Sequence, residues 1–152
     1  MDLKELYQEI ILDHGKNPRN KGKCHNFNRD AKAHNTLCGD KVHIYVRLEN
    51  NEKIKDLSFE GEGCAISLAS ASILTDILKG KDLALTKKIS ENFLNMIKNK
   101  TKITLNSLTE DQVTTITSLS GVQNFPMRVK CATMAWHALL SALENKKNTL
   151  IK

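Results

Sequence analysis

Cys38, Cys64 and Cys131 are the residues of this chain best placed to do chemistry, because each stands beside a feature that would expose or activate a thiol. Cys38 lies in Leu37-Cys38-Gly39-Asp40, where the glycine permits a sharp turn and lets the side chains at i and i+2 aim at one ion. Cys64 follows Gly61-Glu62-Gly63 and opens a helical pattern. A thiol at a helix N-terminus faces unpaired N–H groups and the positive end of the dipole, which lowers its pKa. Cys131 falls in the first turns of the last expected helix, with Arg128 three residues earlier on the same face. Three thiolates and the Asp40 carboxylate would complete a tetrahedral zinc site. No pair forms a CxxC, so spacing alone does not select a metal, and thiolate sites accept iron as well as zinc. Plainer readings stand beside this one. Asp40 could be a turn residue bonded to its own backbone. Cys131, on an alanine-rich helix, reads equally well as a small buried hydrophobe.

The fourth cysteine, Cys24, lies between Lys23 and His25 in a polar stretch with no helix end or glycine turn, and is expected to be a solvent-exposed bystander. Among the five histidines, His25 and His34 sit in loop-like sequence and stay open as ligands. His43 is expected on a wet strand face, and His137 beside Trp136 as a surface or packing residue. His14, at the end of the first helix, is placed where partial positive charge is favoured. Lys98, Lys100 and Lys102, with Lys146, Lys147 and Lys152, are not interleaved with aromatics, so a solvated surface is expected rather than a nucleic-acid interface.

The 152 residues amount to one domain, and 40% hydrophobic with 26% charged residues excludes collagen-like, low-complexity and wholly disordered chains. The net charge of +6 would suit an acidic partner without proving one. No run approaches the roughly eighteen apolar residues of a membrane span, and the first ten carry no apolar signal core. A cytoplasmic protein follows as the expectation, in which cysteines serve thiol chemistry or metal binding rather than disulfides.

The elements that must position these thiols can be read from periodicity. Leu3, Leu6, Tyr7, Ile10 and Ile11 form one helical stripe, capped by Asp2 with Glu5 three residues on, and stopped by Gly15 and Pro18. Residues 17–35 read as a loop with one irregular strand. Val42, Ile44, Val46 and Leu48 alternate with His43, Tyr45 and Arg47, a strand with one buried and one wet face. Asn50-Asn51 then turns the chain into a bulged return strand through Ile54, Leu57 and Phe59. Helices are expected over 65–78 and 82–98, with a short one near 110–119 and another starting at Pro126. The result is an α+β domain over 1–145, a small antiparallel β-sheet packed against helices, followed by a basic, frayed tail over 146–152.

The segments LYQEIILDHGKNPRNKG, TLCGD, FEGEGCAISLASASILTDILKGK and MRVKCATMAWHALLSAL resemble the SufU-type branch of the IscU/NifU-like iron–sulfur cluster assembly family. The likeness runs from Leu6 to about Leu143 and is weakest over 81–120. It implies an antiparallel sheet against helices, and zinc held by Cys38, Asp40, Cys64 and Cys131. It also implies a sulfur carrier that accepts persulfide sulfur from a PLP-dependent cysteine desulfurase and passes it to downstream iron–sulfur assembly proteins. Cys38 would be the acceptor, freed when a desulfurase histidine replaces it on zinc, and Arg128 would assist the transfer. Scaffold-type members have a histidine directly before the last cysteine. Here that residue is Lys130, whose ammonium has no lone pair for a metal. The longer separation from Cys64 to Cys131 also suits the SufU type. Two other functions remain in view: a scaffold for [2Fe–2S] cluster assembly, and a structural-zinc interaction module without chemistry of its own.

Overall fold

The computed structural model describes residues 2–146 and the backbone of 148–151. The chain runs α1 (Leu3–Lys16), β1 (Arg29–Asn35), β2 (Lys41–Glu49), β3 (Lys53–Glu62), α2 (Ala65–Leu78), α3 (Leu83–Asn99), α4 (Glu110–Thr117), a 3-10 turn (Ser118–Val122), α5 (Pro126–Leu143) and β4 (Asn148–Ile151). Three antiparallel strands carry helices on one face, the α+β arrangement expected, and the sheet order is β3-β2-β1-β4. No helix among the described residues is long and apolar enough to cross a membrane.

The β2–β3 hairpin forms for the reasons its pattern suggests. Asn50 and Asn51 both adopt positive φ, at 53° and 56°, which a two-residue turn matching strand twist requires and asparagine tolerates. The register shifts between Arg47 and Leu48, so the return strand is bulged. Ile44, Val46, Leu48, Ile54, Leu57 and Phe59 fill the inner face. On the other side the expected wet face is not wet. Tyr45 is buried beneath Phe27, edge-on at 4.9 Å, and beside His43, stacked at 4.0 Å; its hydroxyl bonds Glu60. His43 is half-buried and bonds Asp30 Oδ2 through Nε2 at 2.7 Å. The cover is the 20–28 segment. Its Gly22 N–H donates to Phe59 O at 2.7 Å, and Asn28 exchanges two hydrogen bonds with the Leu48 backbone. This segment also buries Cys24, correcting the exposed position expected for it.

Two other expectations change. Residues 148–151, read as part of a frayed tail, form β4, whose backbone pairs in parallel with β1 (Ala33 opposite Thr149). Gly15 does not stop α1, which continues to Lys16. Instead a Cβ at Gly15 would stand 3.3 Å from Ala65 O, so glycine lets α1 pass close over the first turn of α2. One residue earlier, His14 is buried, with Nδ1 2.7 Å from Ser72 Oγ, a hydroxyl that also accepts the Arg19 N–H at 2.8 Å. Burial, aided by the Arg19 charge, holds the His14 pKa below the ordinary histidine value; Asp76 and Asp13 oppose this more weakly. The C-terminal positive charge read from the sequence is therefore a neutral, packed imidazole. An unfolded chain takes up this proton near pH 6.5, whereas the folded chain resists it, so stability falls as pH drops through about 6.5. Melting temperature measured from pH 7.5 to 5.5 should decline less steeply in His14→Gln than in the wild type. Some slope will remain, because burial lowers the His137 pKa as well.

The core locks α2, α3 and α5 together. Trp136, fully buried, stacks on Phe93 of α3 with ring centroids 4.1 Å apart at 15°. Its Nε1–H donates to Ser70 Oγ at 3.0 Å, and Ser70 in turn donates to Ala132 O at 2.5 Å. Trp136→Ala removes the stack and leaves a cavity, so denaturant unfolding should show a loss of about 3–5 kcal/mol. Phe93→Leu, which retains most of the volume, should cost much less.

Candidate metal centre

Cys38 reaches the site on the turn between β1 and β2. Asn35, buried at the end of β1, shapes that turn: its backbone N–H donates to Asp40 O at 2.9 Å and its O accepts the Gly39 N–H at 2.8 Å. Its side-chain Oδ1 accepts the Leu37 N–H at 3.1 Å. Gly39 sits at φ +79°, the left-handed backbone that lets Cys38 and Asp40 fold toward each other. Cys64 is the N-cap of α2, and its sulfur accepts the Ser67 N–H at 3.5 Å. Cys131 enters from the second turn of α5.

Ligand atoms of Cys38, Asp40 and Cys131 all lie within 4.8 Å of one another, the one such group of metal-capable residues among those described. Asp40 is the centre of it. Its Oδ1 accepts the Cys64 N–H at 3.3 Å, while Oδ2 accepts the Ser67 hydroxyl at 2.5 Å and lies 3.4 Å from Cys131 Sγ. The space for this carboxylate exists because residue 63 has no side chain: a Cβ there would fall 2.5 Å from Asp40 Cγ and Oδ1. Cys64 borders the group through hydrogen bonds to Asp40 and Cys131 without belonging to the tightest set. His25 and His34, left open as ligands, are not part of it.

The charge balance suits a cation. Burial alone would raise the Asp40 carboxyl, but hydrogen bonds from Ser67, Cys64, Cys131 and Cys38 together hold it below the ordinary carboxylate value. The site therefore keeps a buried anion at neutral pH. Burial pushes the Cys131 thiol up, reinforced by Cys64 and opposed by Ser67. A proton held there must leave when a cation binds, so occupancy should fall with acidification. Thiol sulfurs with one carboxylate oxygen are donors that tetrahedral zinc accepts. The residues present fit that ion.

The site is asymmetric. Asp40 and Cys131 are buried, whereas Cys38 and Cys64 are exposed. Arg128 stands exposed in the first turn of α5, its guanidinium 4.7 Å from the centroid of the Phe125 ring, outside the ligand group. Leu37, Phe125 and Met127 are exposed large apolar residues on the segments that carry Cys38 and Cys131. Sequence reasoning missed Asn35 and Ser67, and took Gly63 only as part of the glycine-rich lead into Cys64, without its bearing on Asp40. Ser67 left a local signal, three residues after a cysteine that begins a helix, where an N-cap's partner falls.

A model of the NifU-like N-terminal domain matches residues 6–149. The chain is 41% identical to the zinc-dependent sulfurtransferase SufU of Bacillus subtilis over 91% of its length and 89% of that protein's. It is 33% identical to the iron–sulfur cluster assembly scaffold protein IscU of Streptococcus pyogenes, covering 96% of this chain and 87% of the other. Among solved structures, one from Fervidobacterium islandicum, named as a candidate iron–sulfur cluster assembly scaffold for the SUF system, superposes with a TM-score of 0.78. It is 33% identical, covering 91% of this chain and 97% of that one. The fold, the matched span and these relatives agree, and the chain belongs to the NifU-like N-terminal domain family of iron–sulfur cluster assembly proteins.

Proposed function

We propose that the chain is a zinc-dependent sulfur carrier: it takes persulfide sulfur from a PLP-dependent cysteine desulfurase on Cys38 and delivers it to downstream iron–sulfur assembly proteins. Cys38, Asp40, Cys64 and Cys131 would hold the zinc. The observation that carries this reading is the grouping of the exposed Cys38 thiol, on a turn, with a buried carboxylate and a buried thiol, while Cys64, also exposed, is tied to the start of α2. Similarity to a protein named as a zinc-dependent sulfurtransferase supports it.

Bound zinc would keep the thiols deprotonated at neutral pH. Asp40 and Cys131, immobilised by burial, and Cys64, anchored at the start of α2, would stay in place while the exposed Cys38 thiolate departs. That thiolate attacks the terminal sulfur of the donor persulfide; a new S–S bond forms on Cys38, the donor S–S bond breaks, and the electron pair leaves on the donor cysteine as its thiolate. No external oxidant or reductant is consumed. Arg128 would steady the free thiolate by charge. Leu37, Phe125 and Met127 provide apolar area around the segments bearing Cys38 and Cys131, where the desulfurase would dock.

The scaffold reading has its own support in the 33% identity to a protein named as an IscU scaffold. Metal and sulfide analysis of the protein as purified separates the two. A colourless protein with close to one zinc per chain favours the carrier. A brown protein with iron and acid-labile sulfide, lost on Cys64→Ala, would overturn it.

A further inference from the structure

Ser67 touches two of the proposed ligands at once. It lies in the first turn of α2 with only 4% of its surface exposed. Its hydroxyl donates to Asp40 Oδ2 at 2.5 Å, and its Oγ is 3.5 Å from Cys64 Sγ, the sulfur its own N–H approaches at 3.5 Å. A serine hydroxyl has a single proton to give. With that proton committed to Asp40, the backbone N–H is left as the donor to Cys64. Asp40 otherwise has the weaker Cys64 N–H contact at 3.3 Å, the Cys131 thiol at 3.4 Å and a hydrogen bond from Cys38, the thiol that would leave. The thiol protons are the ones a cation would displace.

We propose that Ser67 is a positioning residue that divides the ligands into a fixed set and a mobile one. It holds the Asp40 carboxylate and the Cys64 sulfur in ligating orientation while Cys38, to which it makes no described hydrogen bond, leaves and returns. This rests on the zinc-carrier reading. A hydrogen bond to one carboxylate oxygen fixes the plane of the group and orients its remaining lone pairs, and such outer contacts commonly govern how firmly a metal is held. Without the hydroxyl, the Asp40 side chain can rotate about its Cα–Cβ and Cβ–Cγ bonds, and the site must hold its ion with two dependable ligands once Cys38 is withdrawn.

The test uses the zinc-loaded wild type with Ser67→Ala, Ser67→Thr and Ser67→Val. Zinc release to a chromophoric chelator is timed, and the visible spectrum of the cobalt-substituted protein is recorded, with far-UV circular dichroism to verify folding. Ser67→Ala and Ser67→Val should release zinc about 10- to 100-fold faster and show altered cobalt bands, whereas Ser67→Thr should stay near wild type. The threonine–valine pair differs by a hydroxyl against a methyl, so it remains decisive even if the alanine protein does not fold. Wild-type release from Ser67→Val, or identical behaviour of threonine and valine, would overturn the role. A wild type that takes up no zinc would overturn the zinc reading itself and this role with it.

Discussion

A Cys38→Ala protein is expected to fold, to retain zinc and to accept no sulfur. Its side chain projects from an exposed turn and packs against none of the hydrophobic core, so removing the thiol deletes little buried area. The turn itself is held by Asn35 and Gly39, which the substitution leaves alone. Asp40, Cys64 and Cys131 would remain as ligands, with water able to fill the vacant position as in open zinc sites. The predicted loss in sulfur acceptance is complete if the other two thiols stay in place: Cys131 is buried, and Cys64, although exposed, caps α2 and would remain bound to the zinc. Circular dichroism, zinc content and labelled-sulfur transfer measured on one preparation test all three statements. A structural-zinc module predicts a different pattern, an unfolded variant or unchanged partner turnover.

Gly63→Ala should produce the opposite pattern, a protein that keeps its fold and holds its metal much more weakly. Residue 63 has φ +152°, a backbone that L-residues rarely adopt, costing of the order of 1–3 kcal/mol. The larger consequence is local. The new methyl would lie 2.5 Å from both Cγ and Oδ1 of Asp40 and 2.9 Å from its Cβ, so the carboxylate must move. No flexible tip can yield here, since the clash reaches the root of the side chain. Moving it breaks the Ser67 and Cys64 hydrogen bonds together, and zinc affinity should fall by about 100-fold. Gly121→Ala is the matched control. Its Cβ would meet nothing within 4 Å and its φ is ordinary, so zinc binding should not change. If Gly63→Ala binds zinc as tightly as that control, Asp40 is not a ligand.

How legible each part was in the sequence follows from the range of the forces involved. β2 and β3 were readable because Val42, Ile44, Val46 and Leu48 alternate on a strand, and the Asn50-Asn51 turn declares the hairpin. β1 was blurred, since its inward residues are Ala31, Ala33 and Asn35, too small or too polar to advertise a strand; pairing with β2 on one side and β4 on the other supplies what its own sequence does not. The burial of Tyr45 and Cys24 was unreadable for a related reason. The 20–28 segment that covers them is polar, and only Phe27 hints that it folds back. At the site, the cysteines and Asp40 stood out by residue type and by neighbouring glycines. Ser67 and the contact that Gly63 makes possible did not, because both act on Asp40, 27 and 23 residues away in the chain. Contacts at that separation belong to the folded state alone.

The most direct test of the sulfur-carrier account is mass spectrometry after anaerobic incubation with a cysteine desulfurase, pyridoxal phosphate and cysteine. Intact masses report whether sulfur is added, and peptide masses report where. The account predicts one additional sulfur, confined to Cys38, on protein that still holds zinc. No added sulfur on Cys38 while the desulfurase is turning over, or sulfur spread equally over Cys24, Cys64 and Cys131, would contradict it.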